Sequence, residues 1–561
     1  FPTRRSSDLE ATTGPLGQGL SMSVGMAFAE RVLSAEFNRE GFPVVDHFTY
    51  AVCSDGDLME GVTSEAASLA GHQKLGKLIC LYDDNRITIE GTTSLAFSEN
   101  AADRFRAYGW QVLECGDVHD LASLEQALRQ AREDAGRPSI IKVRTHIGYG
   151  SPLQDSEKSH GAPLGAEGLE QTKEFFGWKE EPFCVPQEAL DFFRKEMEKG
   201  KKAEDEWNEL FSGYAEKYPE EAAEFTRRME KRLPQGWDEN IPVFAGSDGP
   251  AATRKVSGNV LNSIAQAVPE LMGGSADLAP SNKSAISDAE DQDPEHPAGR
   301  NFHFGVREHA MGAAVNGMGL HGGVIPYGAT FLVFADYCRP ALRLASMMKN
   351  HVIFICTHDS IGVGEDGPTH QPIEHLASIR AIPGFLVFRP ADANETAEVW
   401  RLAISLRRPC LLALTRQSIP VLDPDAVRSN VEKGAYILAD CSGTPDVILI
   451  ASGSEVHPCL EAGEDLQEEG ISVRVVSMPC MDLFEEQSEG YKNSVLPPDV
   501  TARVAVEAGC SQGWYKWTGC GGSVVSMDEF GASAPGPFLM EQFGFTREHI
   551  AEQARILLNS R

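Results

Sequence analysis

Short apolar runs alternate with amphipathic stretches over residues 14–180. Residues 48–53, 77–82, 111–114 and 139–145 read as strands, and residues 20–33, 62–70 and 121–135 as helices. Short apolar strands separated by helices predict a parallel sheet covered on both faces. From 185 to 232 the pattern changes to highly charged helix, as in Phe193-Arg194-Lys195-Glu196-Met197-Glu198-Lys199. Pro, Gly and Asp then punctuate residues 234–250. A second α/β pattern occupies 251–425, with its clearest strands at 351–357, 385–388 and 410–415. A third begins near 433, with strands at 446–452, 472–476 and 502–506. The predicted architecture is therefore three α/β domains with mainly parallel sheets, at 10–184, 251–425 and 433–561. A charged helical connection at 185–250 joins the first two. Residues 1–9 carry no periodicity of either kind and read as a non-native scar.

Length and charge narrow the possible functions. At roughly 100–200 residues per domain, 561 residues allow three to five domains, so several cores can form. A hydrophobic share of 42% with 24% charged residues excludes a mainly disordered or collagen-like chain. The formal charge of −32 argues against bulk binding to nucleic acid or to an anionic membrane. It leaves room for small anionic substrates, which need only a local basic cluster. No apolar run approaches the roughly 18 residues of a membrane span, and the first residues lack a secretory apolar region. The 12 cysteines form no CxxC pair, which predicts buried free thiols in a reducing compartment.

Five motifs carry candidate chemistry. Ser54-Asp55-Gly56 follows one predicted strand, and Asp83-Asp84-Asn85-Arg86-Ile87 follows the next. Adjacent parallel strands bring Asp55 and Asn85 to the carboxyl edge of the sheet, where open α/β folds bind ligands. A carboxylate, an amide oxygen and a backbone carbonyl suit a hard cation such as Mg²⁺, with diphosphate oxygens completing the octahedron. Gly56 permits close backbone approach. An ordinary turn with a solvated Asp is the alternative. The glycine-rich run Gly14-Pro15-Leu16-Gly17-Gln18-Gly19 leads into a helix but lacks the Gly-Lys-Ser/Thr of a Walker loop. In Gly305-Val306-Arg307-Glu308-His309-Ala310, Glu308 begins a helix of small residues. It serves either the helix dipole or, if buried, proton exchange with a heterocycle. The loop from His358 to Pro372 holds two histidines and three acids among glycines, which fits sugar and phosphate recognition better than metal binding. Phe331, Phe334 and Tyr337 fall on one face of a predicted helix, where such aromatics are usually core.

Together with Ser159-His160-Gly161-Ala162-Pro163-Leu164 and the run GGSADLAPSN at 273–282, these motifs resemble the transketolases, a thiamine-diphosphate-dependent family. The likeness runs from about residue 10 to the end, in the family's domain order. It implies the thiamine-diphosphate-binding fold, with a diphosphate domain, a pyrimidine domain and a smaller C-terminal domain. It also implies Mg²⁺ or Ca²⁺ held by Asp55, Asn85 and the Ile87 carbonyl. The implied cofactor contacts are Gly14, Pro15, Leu16, Gly56, Asn85, His160, Asp277 and Glu308, with Phe331, Phe334 and Tyr337 around the pyrimidine. Glu308 would favour the imino tautomer that removes the thiazolium proton, with His160 and His358 handling protons on substrate oxygens. His160, Arg254, Ser281, His358, Asp366, His370 and Arg416 would grip the substrate's phosphate and hydroxyls.

The activity so implied is reversible transfer of a two-carbon ketol unit from a ketose phosphate to an aldose phosphate. That is a step of the pentose phosphate pathway, in a cytoplasmic homodimer whose subunits share each site. Dihydroxyacetone synthase-like transfer and a non-catalytic homologue remain alternatives. Two departures stand out. Ser54 occupies a position where the family usually has Gly, which is tolerable only if the backbone there is not left-handed. The family also carries roughly a hundred further residues before the Thr12-Thr13-Gly14 run, including histidine motifs, so this chain reads as truncated and its own activity as weak or absent.

Overall fold

The computed structural model describes residues 10–560, so the predicted scar at 1–9 lies outside the described residues. The chain divides into two compact units. One runs as far as Arg232 and includes Asp293–Ala298 and Leu320–Gly323. The other comprises Leu233–Gln292, Gly299–Gly319 and Val324 onward.

The first unit holds a four-stranded parallel sheet in the order Thr49–Ser54, Leu78–Asp84, Ser139–Arg144, Gln111–Cys115. The helix Gln18–Phe37 is buried on nearly every face, which its small and apolar sequence allows. The charged stretch folds as the helices Gln187–Lys217 and Pro219–Met229. They lean on the first helix through Tyr214, whose hydroxyl donates to the Phe37 carbonyl at 2.7 Å, and through Phe225, whose ring lies 5.3 Å from that of Phe37.

The second unit contains two sheets. Six parallel strands run in the order Leu386–Phe388, Cys410–Leu414, Ile353–Thr357, Ile325–Phe331, Leu271–Ser275, Asn301–His303. Five more run Tyr436–Ala439, Val473–Ser477, Val447–Ala451, Arg503–Val506, Ser523–Val525, and only the first of these is antiparallel to its neighbour. The predicted α/β class with mainly parallel sheets therefore holds.

Three details differ from the sequence reading. The strand Leu271–Ser275 is glycine-rich because its neighbours press close. A Cβ on Gly273 would come within 2.1 Å of the Tyr327 carbonyl oxygen, and one on Gly274 within 1.7 Å of that of Phe302. Phe331, Phe334 and Tyr337 do not share a helix: Phe331 ends a strand, Phe334 closes a 3₁₀ turn, and Tyr337 lies in the helix Ala335–Met347. All the cysteines are free, but Cys184 and Cys520 are exposed rather than buried. Among the described residues no helix is long and apolar enough to cross a membrane.

Candidate active site

In the first unit the strands Thr49–Ser54 and Leu78–Asp84 pair in parallel, with Ser54 opposite Asp83. Asp55 therefore leaves the sheet beside the turn that carries Asn85. The Asp55 carboxylate is only 2% exposed and accepts from the Tyr82 hydroxyl at 2.5 Å and the Arg86 backbone N–H at 3.0 Å. Arg86 adopts φ +63°, a tight turn that aims its N–H back at Asp55. Burial raises the Asp55 pKa, Tyr82 and Arg86 pull it back in part, and Asp84 and Asp83 push it up again. A carboxylate so buried and so surrounded by negative charge favours a cation. Asn85 is also buried, and its Oδ1 accepts from the Ile87 N–H at 2.9 Å. The donor set of carboxylate, amide and carbonyl oxygens fits a hard divalent ion.

Ser54 has φ −121° and ψ −179°, extended backbone that any residue adopts, so the side chain that replaces the family's Gly causes no strain. Ser54 instead caps the short helix Asp55–Met59, its N–H donating to Asp57 Oδ2 at 2.9 Å. The other oxygen of Asp57 accepts from the Gly17 N–H at 2.7 Å, which ties the glycine-rich run to the Asp55 turn. Leu16 reaches the same place, since a Cβ on Gly56 would meet its Cδ1 at 2.9 Å. Gly14, Pro15 and Leu16 are exposed there, and His160 is exposed at the end of the turn Glu157–Ser159. The sequence reading passed over Asp57, although Ser54-x-x-Asp57 is the signature of a capped helix start.

In the second unit the carboxyl ends of neighbouring strands converge. His358 follows Ile353–Thr357, Phe331 ends the adjacent strand, and Arg416 lies two residues beyond Cys410–Leu414. The His358 ring lies tilted by 33° against Phe331 with centroids 3.7 Å apart, and the His370 ring centroid stands 6.4 Å from that of Phe331 and 5.6 Å from that of Phe334. Arg254 donates to the Ser281 carbonyl at 2.8 Å and to its hydroxyl at 3.0 Å. Burial, then the charges of Arg254, Arg416 and His370, lower the His358 pKa to about 3, so the imidazole is neutral near pH 7. Glu308 opens the helix Glu308–His321 and is buried. Its Oε1 accepts from the Thr330 hydroxyl at 3.4 Å, and burial raises its pKa despite the hydrogen bonds from its own N–H and from Thr330. Tyr337 is 65% exposed, and Asp277 and Asp366 are exposed loop residues. Thr330, which fixes Glu308, had no signal beyond its place at the end of an apolar run.

The first unit offers a donor set suited to a hard cation at Asp55 and Asn85, and the second a buried carboxyl at Glu308 and an aromatic and cationic group around His358; such features belong to a cofactor-dependent α/β enzyme. The chain matches the transketolase thiamine diphosphate binding domain over residues 2–234 and the transketolase pyrimidine binding domain over 249–421. It matches the transketolase-like C-terminal domain over 434–546. It is 52% identical over 548 residues to the transketolase of Aquifex aeolicus, covering 97% of this chain and 79% of that one. The Geobacillus stearothermophilus transketolase is 52% identical over 557 residues, covering 98% and 83%. The solved transketolase of Leishmania mexicana superposes with a TM-score of 0.95 at 43% identity, covering 98% and 82%. A Pichia stipitis transketolase in complex with sedoheptulose 7-phosphate gives 0.95 at 42%, with the same coverage. The chain belongs to the transketolase family; it is a ketol-transferring enzyme that uses thiamine diphosphate with a divalent metal.

Proposed function

We propose that this enzyme moves a two-carbon ketol unit between sugar phosphates, with the work divided between its two units. The observation that carries this reading is the grouping of Arg254, Arg416 and His370 around the neutral His358. A chain of net charge −32 has no general attraction for phosphate esters, so this local cationic group supplies it. Arg254 and Arg416 grip the phosphate with Ser281 and His370, and Asp366 orients sugar hydroxyls.

Asp55, Asn85 and the Ile87 carbonyl hold the divalent ion, and Gly14, Pro15, Leu16 and Gly56 line the diphosphate. Phe331, Phe334 and Tyr337 pack the pyrimidine, with Asp277 beside it. Bound thiamine diphosphate supplies the carbon nucleophile and electron sink for ketol transfer. Glu308, whose pKa is raised by burial, would share a proton with the aminopyrimidine nitrogen. His358, neutral and packed against the Phe331 ring, accepts a proton from a sugar hydroxyl, and His160 serves the same chemistry from its loop.

The active form is a homodimer with each site completed by a second copy. The large side chains left open at the site support this: Tyr337 is 65% exposed and Val306 is 76% exposed. The free cysteines support a cytoplasmic setting.

Titration with thiamine diphosphate and Mg²⁺, followed by circular dichroism, tests the cofactor half; no induced signal overturns the reading. Arg254→Gln and Arg416→Gln test the substrate half. Each raises KM for a ketose phosphate about tenfold or more while sparing an unphosphorylated ketose. Sedimentation at twice the chain mass checks the dimer.

A further inference from the structure

His358 is held in an unusual way. It has φ +63°, a left-handed conformation that a non-glycine residue keeps only when its neighbours fix it. The next residue, Asp359, is 1% exposed. Its Oδ2 accepts from Arg389 Nε at 2.9 Å, and its Oδ1 has no partner among the described residues. Arg389 is thus the anchor of the Asp359 side chain.

Arg389 follows the strand Leu386–Phe388 of the six-stranded sheet and is fully buried. Its guanidinium reaches out of that sheet's domain. Nη1 donates to the Ser452 carbonyl at 3.1 Å and pairs with the Glu455 carboxylate. Glu507 lies 3.7 Å from Nη1 and takes a bidentate pair from Arg380, both bonds at 2.8 Å. Ser452 follows the strand Val447–Ala451, and Glu507 follows Arg503–Val506, so both stand at carboxyl ends of the five-stranded sheet. Gly453, with φ +61°, leaves the space for this: a Cβ there would lie 2.7 Å from the Arg389 Cζ.

Carboxyl ends of parallel strands are where open α/β sheets place ligands. In the C-terminal sheet that place receives a guanidinium from the neighbouring domain. The cluster counts two arginines against three carboxylates, all nearly or fully buried, so the arginines supply the positive charge that balances them, while Ala508, Ser454, Ser452 and Trp514 add neutral hydrogen bonds to Glu455 and Glu507.

We propose that Arg389 is a positioning residue through which the C-terminal domain sets the orientation of His358. Ser452, Glu455 and Glu507 hold the guanidinium from one side, and it fixes Asp359 and thereby the left-handed turn at His358 from the other. Arg389 touches neither substrate nor cofactor in this scheme. The inference rests on the reading of His358 as a catalytic residue and goes beyond it by giving the C-terminal domain a part in the reaction.

The test uses the full chain with Arg389→Lys, which keeps a charge but not the planar fork. The expected result is a fall in kcat on the order of 10- to 100-fold with KM for the ketose phosphate little changed. A shift and broadening of the His358 ring signals by NMR in the cofactor-free chain should accompany it. Glu455→Gln, which alters the hold from the C-terminal side alone, should move the same His358 signals in a smaller degree, and it carries the test if Arg389→Lys does not fold. A lowered melting temperature with kcat and the His358 signals both unchanged would overturn the proposal and leave the cluster as structural glue. Failure of the wild-type chain to bind thiamine diphosphate would instead strike the functional reading, since the NMR comparison needs no cofactor.

Discussion

Asp55 and Asp359 occupy the same kind of place in two different sheets. Each lies just beyond the carboxyl end of a parallel strand, and each is almost completely buried. Their partners differ. Asp359 has a cation built into the fold, with Arg389 at 2.9 Å. Among the described residues Asp55 has only a hydroxyl and an N–H, with two further carboxylates raising its pKa. A buried carboxylate paired by the chain itself belongs to the architecture, whereas one left short of positive charge is a receptor for it. Glu308 is a third case: buried with no cation among the described residues, its pKa raised by that burial.

The largest effect that sharpens this contrast is expected at Glu308. Glu308→Gln should lower turnover by about 10²–10⁴-fold with the melting temperature almost unchanged, as steady-state kinetics and calorimetry would record. Next come the two aspartate settings. Arg389→Leu leaves Asp359 and Glu455 without their cation, while Glu507 keeps Arg380, and should cost on the order of 3–5 kcal/mol in urea unfolding. Asp55→Asn should leave the stability of the metal-free chain within about 1 kcal/mol while abolishing the gain in thiamine diphosphate affinity that Mg²⁺ provides. Equal destabilisation by both would break the comparison.

A smaller effect concerns pH. Because the His358 pKa is depressed to about 3, the unfolded chain binds a proton that the native chain refuses. Stability should therefore fall as pH drops from about 6.5 toward 3, by up to about 1.4 kcal/mol per unit from this group, and His358→Gln should flatten that slope in urea melts between pH 5 and 7. The smallest effect is at Ser54. Ser54→Gly should cost about 0.5–1 kcal/mol through backbone freedom and the lost hydroxyl bond to Asp57, with cofactor affinity unchanged.

Strands with a continuous apolar run were legible in the sequence to within a residue or two, as at Leu78–Asp84, Ile353–Thr357 and Val447–Ala451. Those with backbone breakers were not. Ile325–Phe331 contains Pro326 and Gly328, which read as turn residues, yet it pairs on both sides inside the sheet. Leu271–Ser275 hid for the related reason that its two glycines answer to neighbours far along the chain. The candidate site divides in the same way. The Asp55 and Asn85 turns could be placed because each directly follows a strand that pairs with the other. The company of His358 could not, because Arg254, Arg416 and Phe331 are brought to it by strand order alone, which spacing does not encode. Asp359 is one of the three acids in the loop from His358 to Pro372, but the run Phe388-Arg389-Pro390 carries no motif, and only the second sheet explains Arg389.

The glycine strand Leu271–Ser275 has a consequence for synthesis of the chain. It is flanked by Asn301–His303 and Ile325–Phe331, both of which come later in the sequence. With emergence at roughly 5–20 residues per second, the strand waits several seconds for its second partner. During that interval its backbone is bare, with no side chain on Gly273 or Gly274 to shield it, and chaperones that bind extended backbone have their opening there.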